Sequence, residues 1–118
     1  MIKINKVFWG GVKVDGQDYH QVIIYGGKVE ERDRDKLESI FGTTHRIGEW
    51  EIRKLKEGSP EVIMVASGFD GVLKVSDEDK KKFGEVDLRV LKSEEAIREY
   101  NRLVEEGKKV NILVHTTC

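Results

Sequence analysis

His115 and Cys118 carry the most reactive side chains in this sequence of 118 residues, and they lie three positions apart. A thiolate beside an imidazole can act as a nucleophile or a metal ligand. A structural zinc site draws on about four ligands, and the chain has neither a CxxC nor an HExxH pattern, so the spacing specifies no metal and no cofactor. The second candidate is Ser67-Gly68-Phe69-Asp70-Gly71, a loop whose amides can face an anion. It lacks the Gly-Lys-Ser/Thr of a P-loop and the glycine spacing of a dinucleotide fingerprint. His45, Thr116 and Thr117 complete the polar set with an imidazole and two hydroxyls. For each of these a structural reading outweighs the chemical one. His115 and Cys118 read as a satisfied polar residue and a small hydrophobe ending a buried strand. The glycines read as turn residues, and His45 as a tie for its connector. No acid–base pair with an evident nucleophile emerges.

The elements that must position these residues are legible from periodicity. Ser93 reads as an N-cap, with Glu94 and Glu95 where the helix dipole favours anions. Ala96, Ile97, Tyr100, Leu103 and Val104 then recur at helical spacing, and Gly107 stops the helix. Val110 to Val114 is apolar apart from Asn111, which suits a central strand of a parallel sheet. His115 to Cys118 fall at its carboxyl end, the edge where open α/β sheets place their ligand crevices.

Upstream, Val62 to Ala66 is apolar on both faces and reads as a second central strand. Ser76 opens a helix to about Phe83, with Asp79 at the capping-box position. Lys80-Lys81-Lys82 on that helix read as a solvated face. Glu85 to Leu91 alternates apolar and polar residues and belongs towards an edge. Long crossovers imply parallel, right-handed β-α-β connections. The expected local order is Glu85–Leu91, Val62–Ala66, Val110–Val114, with the crevice between the last two.

The first third reads as a β-meander: Ile2 to Phe8, Val12 to Val14, Gln17 to Tyr25 and Lys28 to Arg32, with turns at Asp15-Gly16 and Gly26-Gly27. Asp33 to Gly42 places Leu37, Ile40 and Phe41 at helical spacing. Thr43 to Ile47 is an extended connector, Glu49 to Glu57 a helix anchored inward by Trp50 and Leu55, and Val72 to Val75 a short extended piece. The expectation is one domain, 1–118: a three-layer α/β/α sandwich with a parallel βαβαβ core (residues 62–115) and an added N-terminal antiparallel meander.

Bulk properties narrow the function classes. Apolar residues make up 38%, charged residues 36%, and the formal net charge is −1. A dedicated nucleic-acid binder would carry a basic excess. No run approaches a membrane span of roughly 18 apolar residues, and a lone cysteine fits a reducing, cytoplasmic compartment. Abundant Glu and Lys with few Asn, Gln, Met and Cys suggest a thermophilic source.

Over nearly its whole length the chain resembles the Mth-type domain of unknown function. Its eukaryotic members include NADH dehydrogenase (complex I) assembly factor 3 and the adipogenesis-associated Mth domain-containing protein. The resemblance is carried by Trp9-Gly10, Val12 to Gly16, Tyr19 to Tyr25, His45, Pro60 to Gly68, and Glu95 to Cys118 with its Tyr100-Asn101 pair and His-Thr-Thr-Cys ending. The chain departs from it at Ala66-Ser67-Gly68, where the family often has Gly-Thr-Gly, and at Thr116, where an apolar residue is common. The resemblance implies a three-layer α/β fold with an added meander and no settled reaction. It suggests a protein-binding module, with a protein partner and homo-oligomerisation both open. The residues themselves leave a second class, a small-molecule or anion-binding protein using the crevice near Ser67 and His115.

Overall fold

The computed structural model describes all residues, 1–118. Its main sheet has five strands: β4 (Val22–Tyr25), β5 (Lys28–Glu31), β6 (Val62–Ser67), β7 (Asp87–Leu91) and β8 (Val110–His115), in the order β5-β4-β8-β6-β7. β6 pairs in parallel with both β7 and β8, while β4 runs antiparallel to β8 and to β5. The order expected for the three parallel strands holds. The reason is visible in burial: β6 and β8 are buried at every position, and β7 is half wet.

The expected N-terminal meander divides in two. β1 (Ile4–Phe8), β2 (Gly11–Val14) and β3 (Gln17–Tyr19) form a separate antiparallel sheet, whereas the β4–β5 hairpin joins the main one. Gln17 to Tyr25 is therefore not one strand; it breaks at His20-Gln21. Val22 to Tyr25 are all buried, so they need cover on both faces, which a free-standing meander cannot supply.

Four helices complete the chain: α1 (Arg34–Phe41), α2 (Glu49–Leu55), α3 (Asp77–Phe83) and α4 (Ser93–Glu105). On one face of the main sheet Ile24, Met64, Ala66, Ile112 and Val114 meet Ala96, Ile97, Tyr100 and Leu103 of α4, and Ile4, Val12 and Val14 of the small sheet. On the other face Ile23, Tyr25, Ile63, Val65 and Leu113 meet Ile52 and Leu55 of α2, Phe83 of α3, and the loop residues Ile47 and Leu73. Helix layers thus cover both faces. Asn111, with His115 one of two polar residues in β8, donates to the carbonyls of Leu55 and Glu57 at 2.8 and 2.9 Å and so satisfies the exit of α2.

Local expectations are sharpened or corrected at three places. Lys92, not Ser93, is the N-cap of α4; Ser93 begins the helix and turns its hydroxyl inward. Val72 to Val75, expected as a short extended piece, joins neither sheet, and Leu73 N–H donates to Ser67 O at 3.1 Å. Trp50 is only half-buried under Lys36 and lies outside the core. At 3.6 residues per turn it stands about 140° from Leu55, whereas Glu51 stands about 40° away and is fully buried.

Candidate functional site

The carboxyl edge of β6 and β8 is closed by the chain itself. Ser67 and His115 are paired in register, and beyond them the loop 67–71 lies against the tail 116–118. Phe69 N–H donates to Thr117 O at 2.7 Å, and Asp70 and Val72 N–H donate to Cys118 O at 2.8 and 3.0 Å. From the other side Gly10 N–H donates to Thr116 O at 2.8 Å. Gly68 makes this approach possible: its φ is +101°, and a Cβ there would stand 2.3 Å from the Cys118 carbonyl carbon. Only glycine meets both conditions. The amides read as anion donors are thus engaged within the chain, Phe69 and Asp70 N–H on backbone oxygens of the tail and Gly68 N–H on Ser93 Oγ.

The hydroxyls are engaged as well. Ser67 Oγ donates to Leu91 O at 3.0 Å and Thr116 Oγ1 to His20 O at 2.7 Å. Asp70 is exposed, Gly71 N–H reaches Gly68 O at 3.4 Å, and Cys118 is half-buried rather than largely buried. Ser93 holds the base of the arrangement. Its Oγ accepts from Gly68 N–H at 2.9 Å and donates to His115 O at 2.6 Å, wholly out of solvent. Replacing Ser93 by Ala leaves a buried donor and a buried acceptor unpaired, at about 1–3 kcal/mol each. Urea unfolding of Ser93→Ala is expected to show a loss of about 2 kcal/mol or more with unchanged m-value.

Beneath the tail lies a polar cluster that sequence reasoning missed. Arg32, at the exit of β5, and Glu51, in the first turn of α2, form an ion pair with both side chains at 0% exposure. Gln21 Oε1 accepts from Arg32 Nη1 at 2.8 Å. The same oxygen lies 3.2 Å from His115 Nδ1, which must therefore carry the proton, leaving Nε2 to accept from Thr117 Oγ1 at 3.1 Å. His45 meets His115 edge-on, with ring centroids 5.0 Å apart.

A hydroxyl, an imidazole and an orienting amide in a row have the order of a nucleophile, its base and the base's positioner. The electrostatics oppose that use. Burial, the Arg32 guanidinium and His45 push the His115 imidazole down to about 4, well below the range that serves a general base near neutrality. The row works instead as a satisfied polar network.

The depressed His115 has a consequence for stability. Its folded pKa of about 4 lies below the unfolded value of 6.5. Above pH 6.5 both states hold a neutral imidazole and the full stability is present. As pH falls from 6.5 towards 4, only the unfolded chain gains the proton, so stability falls. The expected loss is roughly 2–3 kcal/mol across that window, read from urea midpoints, and it should be absent in His115→Gln. A His115 titration near 6.5 by NMR would contradict this.

Of the residues singled out in the sequence, Ser67, Gly68, Asp70, Gly71, Thr116, Thr117 and Cys118 meet at one edge, and His115 and His45 meet just below it. Arg32, Glu51 and Gln21 were not singled out. The signal for Glu51 was its place one turn before Leu55 on the inward face of α2.

This fold recurs in solved structures. The protein MT938 superposes with a TM-score of 0.80 at 28% identity, over 100% of both chains. A conserved hypothetical protein from Pyrococcus horikoshii OT3 gives 0.81 at 29% identity over 98% of this chain and 99% of that one. A Mth938-like domain from Bordetella pertussis, at 16% identity and a TM-score of 0.61 over 97% of this chain and 85% of its own, shares the fold alone. Residues 4–115 match the family described as "Protein of unknown function (DUF498/DUF598)". With both central strands as far as His115 and the buried Arg32–Glu51 pair inside the matched span, the chain belongs to the DUF498/DUF598, Mth938-like family.

Proposed function

We propose that the domain is a protein-interaction module with no reaction of its own, docking through the carboxyl edge of its main sheet. The observation that carries this reading is the aromatic pair above the closed edge. Trp9 is 60% exposed and its ring centroid lies 5.9 Å from that of Phe69. Phe8, beside it, is 40% exposed. The backbones around both rings are bound to the tail, through Gly10 N–H to Thr116 O and Phe69 N–H to Thr117 O. Rigid, exposed aromatics are the residues that anchor protein interfaces, and holding them in place beforehand lowers the ordering cost of association. The resemblance to assembly-associated eukaryotic proteins supports the same class. No helix is long and apolar enough to cross a membrane; we place the protein in the cytoplasm because its single cysteine suits a reducing compartment.

The test is a Trp9→Ala/Phe69→Ala double variant compared with the parent by cross-linking and pull-down from the native source, with sedimentation to detect self-association. Both side chains lie outside the two cores, so the fold should persist. Loss of a parental partner, or of a parental dimer, is the expected result. Unchanged capture by the double variant would remove this face from the interface. A second reading, binding of a small anion, is favoured by a separate basic hollow.

A further inference from the structure

The geometry points to a binding site for a small organic phosphate on the opposite flank of β6, between β6, β7 and α3. It lies beyond the aromatic face and does not depend on it. A hollow of about 280 Å³ opens there, lined by Ser67, Gly71, Leu73, Lys74, Val75, Lys80, Val90 and Lys92. Ligand cavities run from about 300 Å³ upwards, so this one suits a small ligand.

Its charge is one-sided. Three lysines line it and no carboxylate does, in a chain with 22 acidic residues against 21 basic ones. Lys74, Lys80 and Lys92 sit in no ion pair within 4.0 Å, as is true of most lysines of the chain, so no carboxylate neutralises them. Of the three acidic residues in the first turn of α3, Glu78 and Asp79 line a different concavity, beside Trp50 and Arg53, and Asp77 lines neither. Nor do Glu94 and Glu95, next to Lys92 in sequence, line the hollow. Lys74, Lys80 and Lys92 are exposed around it, and a concavity lined by one sign of charge raises the local concentration of the opposite ion.

The backbone is shaped for this arrangement. Gly71 has a φ of +69°, and a Cβ there would stand 3.6 Å from Lys92 Cγ and 3.7 Å from Ser67 Oγ. Those distances are ordinary contacts, so it is the left-handed φ, not lack of space, that favours glycine beside the Lys92 stem. Lys92 is also the N-cap of α4, a helix of 13 residues whose N-terminus no side chain caps and whose first-turn carboxylates, Glu94 and Glu95, offset its dipole. Opposite the lysines the wall is apolar: Leu73, Val75 and Val90, the last 37% exposed on the edge strand. A dianionic head among ammonium groups beside an apolar wall is the pattern for a phosphate ester with a short carbon skeleton rather than for bare phosphate.

The whole protein is titrated with propyl phosphate, inorganic phosphate and sodium chloride at matched ionic strength, followed by amide NMR shifts and melting midpoint. Vesicles of phosphatidylserine form a further arm. The expected result is saturable shifts at Ser67, Gly71, Val75 and Lys92 with a raised midpoint, stronger for propyl phosphate than for phosphate and absent with chloride. Lys74→Gln/Lys80→Gln/Lys92→Gln should weaken binding by about tenfold or more and leave stability about equal. Trp9→Ala/Phe69→Ala should respond to propyl phosphate as the parent does, so failure here is separable from failure of the docking face. No saturable shift, an equal response in the triple lysine variant, or binding to vesicles alone would overturn the proposal.

Discussion

Arg32→Ala is expected to be the most damaging single change away from the apolar core, costing about 3–5 kcal/mol. The guanidinium has five N–H donors, and all are used. Nε and one Nη2 proton reach Glu51 Oε2 and Oε1 at 2.8 and 2.9 Å. Nη1 reaches Gln21 Oε1 and Thr44 O at 2.8 and 3.1 Å, and the second Nη2 proton reaches Arg46 O at 2.9 Å. Glu51 Oε1 also accepts from Gly48 N–H at 3.0 Å. One side chain thus joins the exit of β5, the connector bearing His45 and the start of α2. Removing it strands a carboxylate at 0% exposure and frees two carbonyls. Most of the cost comes from that stranded charge rather than from the net worth of the pair. The paired change Arg32→Met/Glu51→Leu should therefore recover much of the loss. Thermal and urea unfolding of the two variants decide it; a double variant as unstable as Arg32→Ala would show that the five bonds themselves matter more than the stranded charge.

Removing residues 116–118 is expected to cost about 2–5 kcal/mol. The deletion takes away the acceptors for Gly10, Phe69, Asp70 and Val72 N–H, and the bond from Thr116 Oγ1 to His20 O. Each hydrogen bond contributes roughly 0.5–1.5 kcal/mol net, and several of the freed donors can be rehydrated at the surface. The aromatic pair loses its footing at the same time, since the backbones of Gly10 and Phe69 are both held by this tail. Calorimetry of the truncated chain should give a lower melting midpoint than the parent, together with weaker partner capture; a truncated chain that melts with the parent would contradict the closure of the edge.

The frame of the site was legible because periodic burial leaves a plain trace. β6 and β8 read as central strands from unbroken apolar runs, and β7 as an edge from its alternation, which together fixed where Ser67 and His115 meet. Ser93, Gly68 and Thr116 were each noticed for a local reason, yet their actual work is long-range. Ser93 joins positions 68 and 115, and no local pattern encodes that. The Arg32–Glu51 pair was hidden for a similar reason. Arg32 lies in the charged stretch Glu30 to Lys36, where its neighbours Glu31 and Asp33 are exposed, and only the tertiary fold separates the one buried charge from them. The aromatic pair joins two loops 60 positions apart, at Trp9 and Phe69, and was equally invisible to periodicity.

The closed carboxyl edge is tested most directly by hydrogen exchange at Phe69, Asp70 and Val72, measured residue by residue at neutral pH. If the tail occupies this edge, all three amides exchange at least about a hundredfold more slowly than free amides, an opening free energy of roughly 3 kcal/mol, and they lose that protection together when residues 116–118 are removed. Exchange at the rate of free amides in the intact protein would mean that the edge stands open, and that a ligand crevice rather than a docking face lies above Ser67 and His115.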